Sequence, residues 1–127
     1  MGKTSIPKKI VALVLERDGG FCLLAFDGCV GVATVADHRA NRGHGGAGRV
    51  LDNPSNLIAA CWFCNGWKES GADRADLVRR GLRVDGGRTH THTAEKAREI
   101  PVTYPDGLKY LLDDFGGRRA EHETGNE

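Results

Sequence analysis

The chain has 127 residues, which is one domain or a small core with an appendage. Its net charge is only +1, so whole-molecule charge does not mark a nucleic-acid binder, and no run approaches the ~18 apolar residues of a membrane span. Few aromatic residues and 18 glycines imply a thin core that a structural metal would help to hold.

Ser5 to Asp18 reads as a helix, with Ser5 as N-cap, Pro7 in the first turn and Gly19-Gly20 as its stop. Ile10, Val11, Val14 and Leu15 form one apolar face, expected to pack on a metal core. Phe21 to Cys29 is a loop, and Val32 to His38 reads as a strand. Asn41 to Gly48 holds four glycines and reads as a loop; the Asp52-Asn53-Pro54 turn then leads into a return strand, Leu57 to Ala60. Helices follow at Trp62 to Ser70 and at Asp73 to Arg80, the second capped by Asp73 and stopped by Gly81. Thr93 can cap a short helix through Glu99, and His90 and His92 alternate as in a strand or a weak metal pair, with no metal expected there. Val102 to Tyr104 and Leu108 to Leu112 flank a Pro-Asp-Gly turn and read as a hairpin. From Gly116 the chain is charged and poor in apolar residues, so disorder is expected. The expected class is α+β, with a core over residues 1–84 and a C-terminal hairpin appendage and tail over 85–127. The first residues hold no secretory apolar stretch, so a cytoplasmic protein without membrane attachment is expected, and a monomer.

Four cysteines frame one Asp-His dipeptide. Cys22 and Cys29 precede Asp37-His38, and Cys61 and Cys64 follow it, with Asn65 next to Cys64. In a reducing compartment, paired cysteine clusters favour metal over disulfides, and four thiolates can close a tetrahedral Zn²⁺ site. The spacer between Cys22 and Cys29 is longer than is usual in zinc knuckles, but Asp27-Gly28 supplies a turn that brings the sulfurs together. Left over are a carboxylate, an imidazole and an amide, which suit a hard metal and a general base. Arg39, Arg42 and Arg49 form a local basic stretch with one acid, Asp52, nearby, and such a patch can engage phosphates. Trp62, Phe63 and Trp67 are read as core rather than as base-stacking platforms.

The order strand, Asp-His, Gly-rich loop, strand, Cys-x-x-Cys-Asn, helix resembles the HNH endonucleases with the ββα-metal fold. The residues that carry the resemblance are Asp37-His38, Gly45-Gly46, Asn56-Leu57 and Cys61-Trp62-Phe63-Cys64-Asn65 with Lys68. It covers roughly Gly19 to Lys68, with a looser match through Val84. Asn65 stands where many members carry histidine, which is similar to the His-Asn-Asn branch of phage-type nucleases. The resemblance implies that His38 is the general base and that Asp37 and Asn65 hold a catalytic Mg²⁺ or Mn²⁺, whose preference for oxygen ligands agrees. It implies a structural role for Asn56, which fixes the loop so that His38 keeps its orientation, and a phosphate contact for Lys68 beside those of Arg39 and Arg42. It further implies DNA as substrate, and a phage setting in the host cytoplasm beside the terminase of genome packaging. On a regular strand Asp37 and His38 point to opposite faces, so serving one phosphate requires the strand to end or distort there. A rival reading is a zinc-stapled nucleic-acid-binding or terminase-accessory module without cleavage; another keeps the fold as a junction-specific or RNA-directed nuclease.

Overall fold

The computed structural model describes residues 5–41 and 50–121. The chain is α+β. α1 (Lys8–Arg17) begins after Pro7 with no side-chain cap, so Ser5 is not its N-cap; a residue before proline is disfavoured in the helical region, which keeps Ile6 outside. Gly19 and Gly20, at φ +72° and +78°, end it in a conformation that only glycine adopts easily.

β1 (Val35–His38) and β2 (Leu57–Ala60) pair antiparallel, Val35 opposite Ala60 and His38 opposite Leu57. β1 is shorter than Val32 to His38, because Val32 makes only an isolated bridge to Phe21. β2 is buried on both faces. Successive side chains of a strand alternate, so Leu57 and Ala59 pack with Val14, Ile10 and Leu15 of α1, while Ile58 and Ala60 join Cys22, Cys61 and Cys64. α1 therefore covers the back of β2 and not the cysteine cluster that its apolar face was expected to meet.

α2 (Trp62–Ser70) follows β2 directly, and α3 (Arg74–Arg79) is capped by the Asp73 carboxylate, which accepts from the Ala75 amide at 3.0 Å. α4 (His90–Glu99) starts earlier than a Thr93 cap predicts, because the Thr89 hydroxyl accepts from His92 N at 3.0 Å. His90 and His92 thus lie in the first turn of a helix, two residues apart, where side chains do not share a face.

β3 (Val102–Thr103), β4 (Lys109–Leu112) and β5 (Arg118–Ala120) form an antiparallel sheet in that order. β5 corrects the expectation of disorder from Gly116. The Asp113 carboxylate accepts from the amides of Phe115 and Gly117 at 2.8 Å, closing a turn, and the Arg118 guanidinium lies over Tyr110 and Tyr104, 4.0 and 4.7 Å from the ring centroids. Cation–π contact and cross-strand pairing replace the apolar side chains that this segment lacks. Residues 122–127 of the expected tail lie outside the described residues. No described helix is long and apolar enough to cross a membrane.

One apolar cluster draws on both sides of Val84: Leu77 and Leu82 with Val102, Tyr104 and Leu112. The division drawn at Val84 does not coincide with a break in the core. Tyr104 also donates its hydroxyl to Asp18, the carboxylate that accepts from Arg17 at 2.8 and 2.9 Å and from Ala59 N at 3.0 Å.

Arg39 is the second link. It is 0% exposed, and its guanidinium donates to the carbonyls of Gly81 (2.8 Å), Ser55 (2.7 Å), Ala97 (2.8 Å) and Ile100 (2.6 Å). Ala97 lies in the last turn of α4 and Ile100 is its C-cap, where carbonyls lack helical partners and the helix dipole favours a cation. Burial, with a smaller contribution from the Arg17 charge, lowers Arg39 to about 9, which leaves it a cation at neutral pH. Arg39, expected to contact substrate, is therefore a structural tie with no surface to offer a phosphate. Arg39→Met should cost about 3–5 kcal/mol by stranding buried acceptors, and Arg39→Lys should recover little, because one ammonium cannot match a planar fork. Urea unfolding checks this; a loss under about 1 kcal/mol for Arg39→Met contradicts it.

Candidate functional site

The four cysteines converge from two segments. Cys22 and Cys29 sit in a loop between α1 and β1, closed by Cys22 N donating to Gly31 O at 2.9 Å and Cys29 N to Phe26 O at 2.9 Å. Gly28 makes the turn at φ +92°, and a Cβ there would stand 2.7 Å from the Phe63 ring, so glycine is required twice over. Cys61 is the N-cap of α2 and Cys64 lies in its first turn; Cys64 N donates to Cys61 Sγ at 3.4 Å. The four Sγ atoms all lie within 4.8 Å of one another, close enough to hold a metal ion.

Cys29 Sγ and Cys61 Sγ are 3.8 Å apart. That is far beyond a disulfide's length of about 2.05 Å, and it matches the edge of about 3.8 Å in a tetrahedron with metal–sulfur bonds of about 2.3 Å. Burial pushes the Cys61 thiol up, but the backbone amides of Cys64 and Val30 and the neighbouring thiols outweigh it and bring Cys61 down to about 6. Burial raises Cys22 and Cys64. A bound cation would reverse that, since a coordinating thiol is deprotonated outright.

Asp37 and His38 end β1, which runs regularly through both, so their side chains diverge. Asp37 turns toward α2 and is nearly buried; its Oδ2 accepts from Lys68 Nζ at 2.6 Å, and the same ammonium donates to His38 O at 2.7 Å. Lys68, expected on a phosphate, is thus withdrawn into an ion pair, because it falls on the buried face of α2 with Cys64. Burial pushes Asp37 above the usual carboxylate range and Lys68 below its own; in each, the partner's charge opposes the shift without cancelling it. Asn65, half-buried, lies three residues before Lys68 on α2, a spacing at which helical side chains can neighbour one another.

His38 turns the other way. Its Nε2 lies 2.8 Å from Asp52 Oδ1, in the 3₁₀ turn Val50–Asp52. Asn56 is buried, and its side-chain hydrogen bonds among the described residues go to backbone and not to the imidazole. Its amide accepts from Ala40 N (2.9 Å) and donates to Ala40 O (3.0 Å) and Leu51 O (2.9 Å), tying together the two ends of the intervening loop. Arg42 and the glycines of that loop lie outside the described residues.

Sequence reasoning missed Asp52, Arg39 as a tie, and the exposed tryptophans. Asp52 stood out as a turn residue and as a lone acid in a basic stretch. Trp62 is 66% exposed and is not core, because α2 buries Cys64 and Lys68 and turns Trp62 outward; Trp67 is also exposed, stacked on the half-buried Phe63 at 6.5 Å.

No protein-family model matches this chain, and neither the curated proteins nor the solved structures give a match.

The Asp37–Lys68 pair yields a stability prediction. Lys68→Met leaves a carboxylate buried without its cation and should cost about 3–5 kcal/mol at neutral pH. A carboxyl whose folded value is raised contributes stability at low pH and loses it as pH rises through that value. Removing Lys68 raises Asp37 further, so the defect should shrink on acidification. Denaturant melts of wild type and variant across pH 4–7 check this; a defect that grows as pH falls contradicts it.

Proposed function

We propose that this chain is a metal-dependent DNA endonuclease built on a structural Zn²⁺ site, of the HNH type with a ββα-metal core. The observation that carries the reading is the four-sulfur cluster at the start of α2, the helix whose Lys68 grips the Asp37-His38 end of β1. Cys22, Cys29, Cys61 and Cys64 are the zinc ligands; their all-sulfur set, spacing and burial fit a closed structural site.

Asp37 and Asn65 would hold a catalytic Mg²⁺ or Mn²⁺. One carboxylate and one amide oxygen suit such ions, which keep most of their shell for water and phosphate. The second oxygen of Asp37 accepts no hydrogen bond from a described residue, which leaves a donor for a cation beside the Lys68 contact. When bound, the ion would offset the charge that builds on the phosphate as its ester bond breaks. His38 is the general base that draws a proton from the attacking water, a task suited to an imidazole near neutral pH. Asn56 holds the loop that carries the surroundings of His38. Lys68 supports Asp37 and does not meet substrate.

The substrate is DNA. A phage origin and work beside a terminase are the setting that the resemblance implies. The divergence of Asp37 and His38 from a regularly paired strand, the engagement of Asp37 by Lys68 and the burial of Arg39 favour the rival, a zinc-stapled nucleic-acid-binding or terminase-accessory module without cleavage; the nuclease reading requires the end of β1 to turn so that both side chains reach one phosphate, and the same assay separates the two. Wild-type protein should nick or cut supercoiled plasmid in Mg²⁺ or Mn²⁺ and not in EDTA. His38→Ala should keep its zinc and its fold while losing about 10²–10⁴-fold in rate. A wild type inert with every divalent ion, or a fully active His38→Ala at matched protein and metal, overturns the proposal.

A further inference from the structure

Among the described residues, Asp52 is the only side chain hydrogen-bonded to the His38 ring. Its side chain is 0% exposed, against 18% for His38, so the carboxylate lies on the inner side of the ring. A carboxyl group buried to that degree needs hydrogen-bond partners, and ring Nε2, at 2.8 Å, is one of them. A carboxylate at that place only accepts, so the contact would put the hydrogen on Nε2 and leave the lone pair on Nδ1. Nδ1 joins no hydrogen bond with a described residue.

The placement of Asp52 is itself fixed. Asn56 donates to the carbonyl of Leu51, the neighbour of Asp52, and brackets Ala40, two residues beyond His38, with both ends of its amide. Arg39, between them, is anchored by four carbonyls. The distance from Asp52 to His38 is thus set by buried hydrogen bonds and not by a free loop.

We propose that Asp52 is a positioning residue that locks His38 in the Nε2–H tautomer, which makes Nδ1 the nitrogen that takes the proton from the attacking water. This rests on the nuclease reading above. In the step, water passes a proton to Nδ1 and its oxygen bonds to phosphorus; the bond to the 3′ oxygen breaks, and solvent protonates that oxygen. The imidazolium then returns its proton to solvent. Asp52 touches neither water nor phosphate. It acts by holding the ring in one orientation and by stabilising the imidazolium formed in the step.

The test uses the zinc-loaded full chain with ¹⁵N-labelled histidine. Long-range ¹H–¹⁵N spectra at alkaline pH report which nitrogen of each neutral ring is protonated, and His38→Gln identifies the His38 signals. Wild type should show the Nε2–H form. Asp52→Asn should shift His38 toward Nδ1–H and lower kcat on supercoiled plasmid about 10²–10⁴-fold, with KM changed less than about threefold and zinc retained; Asp52→Glu should recover part of the rate. A cleaving wild type with His38 protonated on Nδ1, or an Asp52→Asn protein with wild-type kcat, overturns the role of Asp52 alone. The wild-type tautomer decides the matter even where Asp52→Asn does not fold. A wild type with the Nε2–H form and no cleavage overturns the nuclease reading, and the positioning role with it.

Discussion

Four sulfur atoms from two separate segments meet within 4.8 Å, and most of the fold is arranged around that meeting. The loop carrying Cys22 and Cys29 has little reason to stay folded by itself, with glycines at positive φ and few apolar contacts beyond Leu23, Leu24 and Phe26. Cys61 and Cys64 fix where α2 begins, and α2 in turn sets Lys68 against Asp37. Structural zinc sites contribute on the order of 10–16 kcal/mol in isolated fingers, as much as the whole stability of a typical domain at about 5–15 kcal/mol. On the zinc reading, the ion is a principal source of stability and not an ornament on a finished core.

Buried polar ties complete what the thin apolar core leaves open. Arg39 collects four carbonyls from three parts of the chain, Asp18 links α1, β2 and Tyr104, and Lys68 joins α2 to β1. Such groups are costly to bury and costly to unpair, so each holds its place only where the fold keeps its partners. They also explain why the site sits on rigid elements. Asp37 and His38 are at the end of a paired strand, and the loop beyond them is closed by the amide of Asn56.

Local chemistry made part of this legible. β2 and α2 fall over the ranges the sequence suggests, Leu57 to Ala60 and Trp62 to Ser70, and Asp73 caps α3 as its position before a helical run suggests. The cysteine cluster was legible because ligand spacing survives translation into space. What escaped were long-range roles. Nothing local distinguishes Arg39, which is buried under α4 some sixty residues away, from an arginine on a phosphate. β5 was hidden because its stabilising contacts, Arg118 on Tyr104 and Tyr110, belong to other strands. Asp52 read as a turn residue because its partner, His38, lies across a loop. The side chains of the candidate site were thus nameable from sequence, but their partners in space were not.

The central claim is that the four thiolates hold one zinc ion that organises the chain. X-ray absorption at the zinc edge, on protein purified without added chelator, tests it most directly. The account predicts one zinc per chain with four sulfur neighbours at about 2.3 Å. A folded, zinc-free protein, or a zinc shell containing nitrogen or oxygen in place of sulfur, would contradict it.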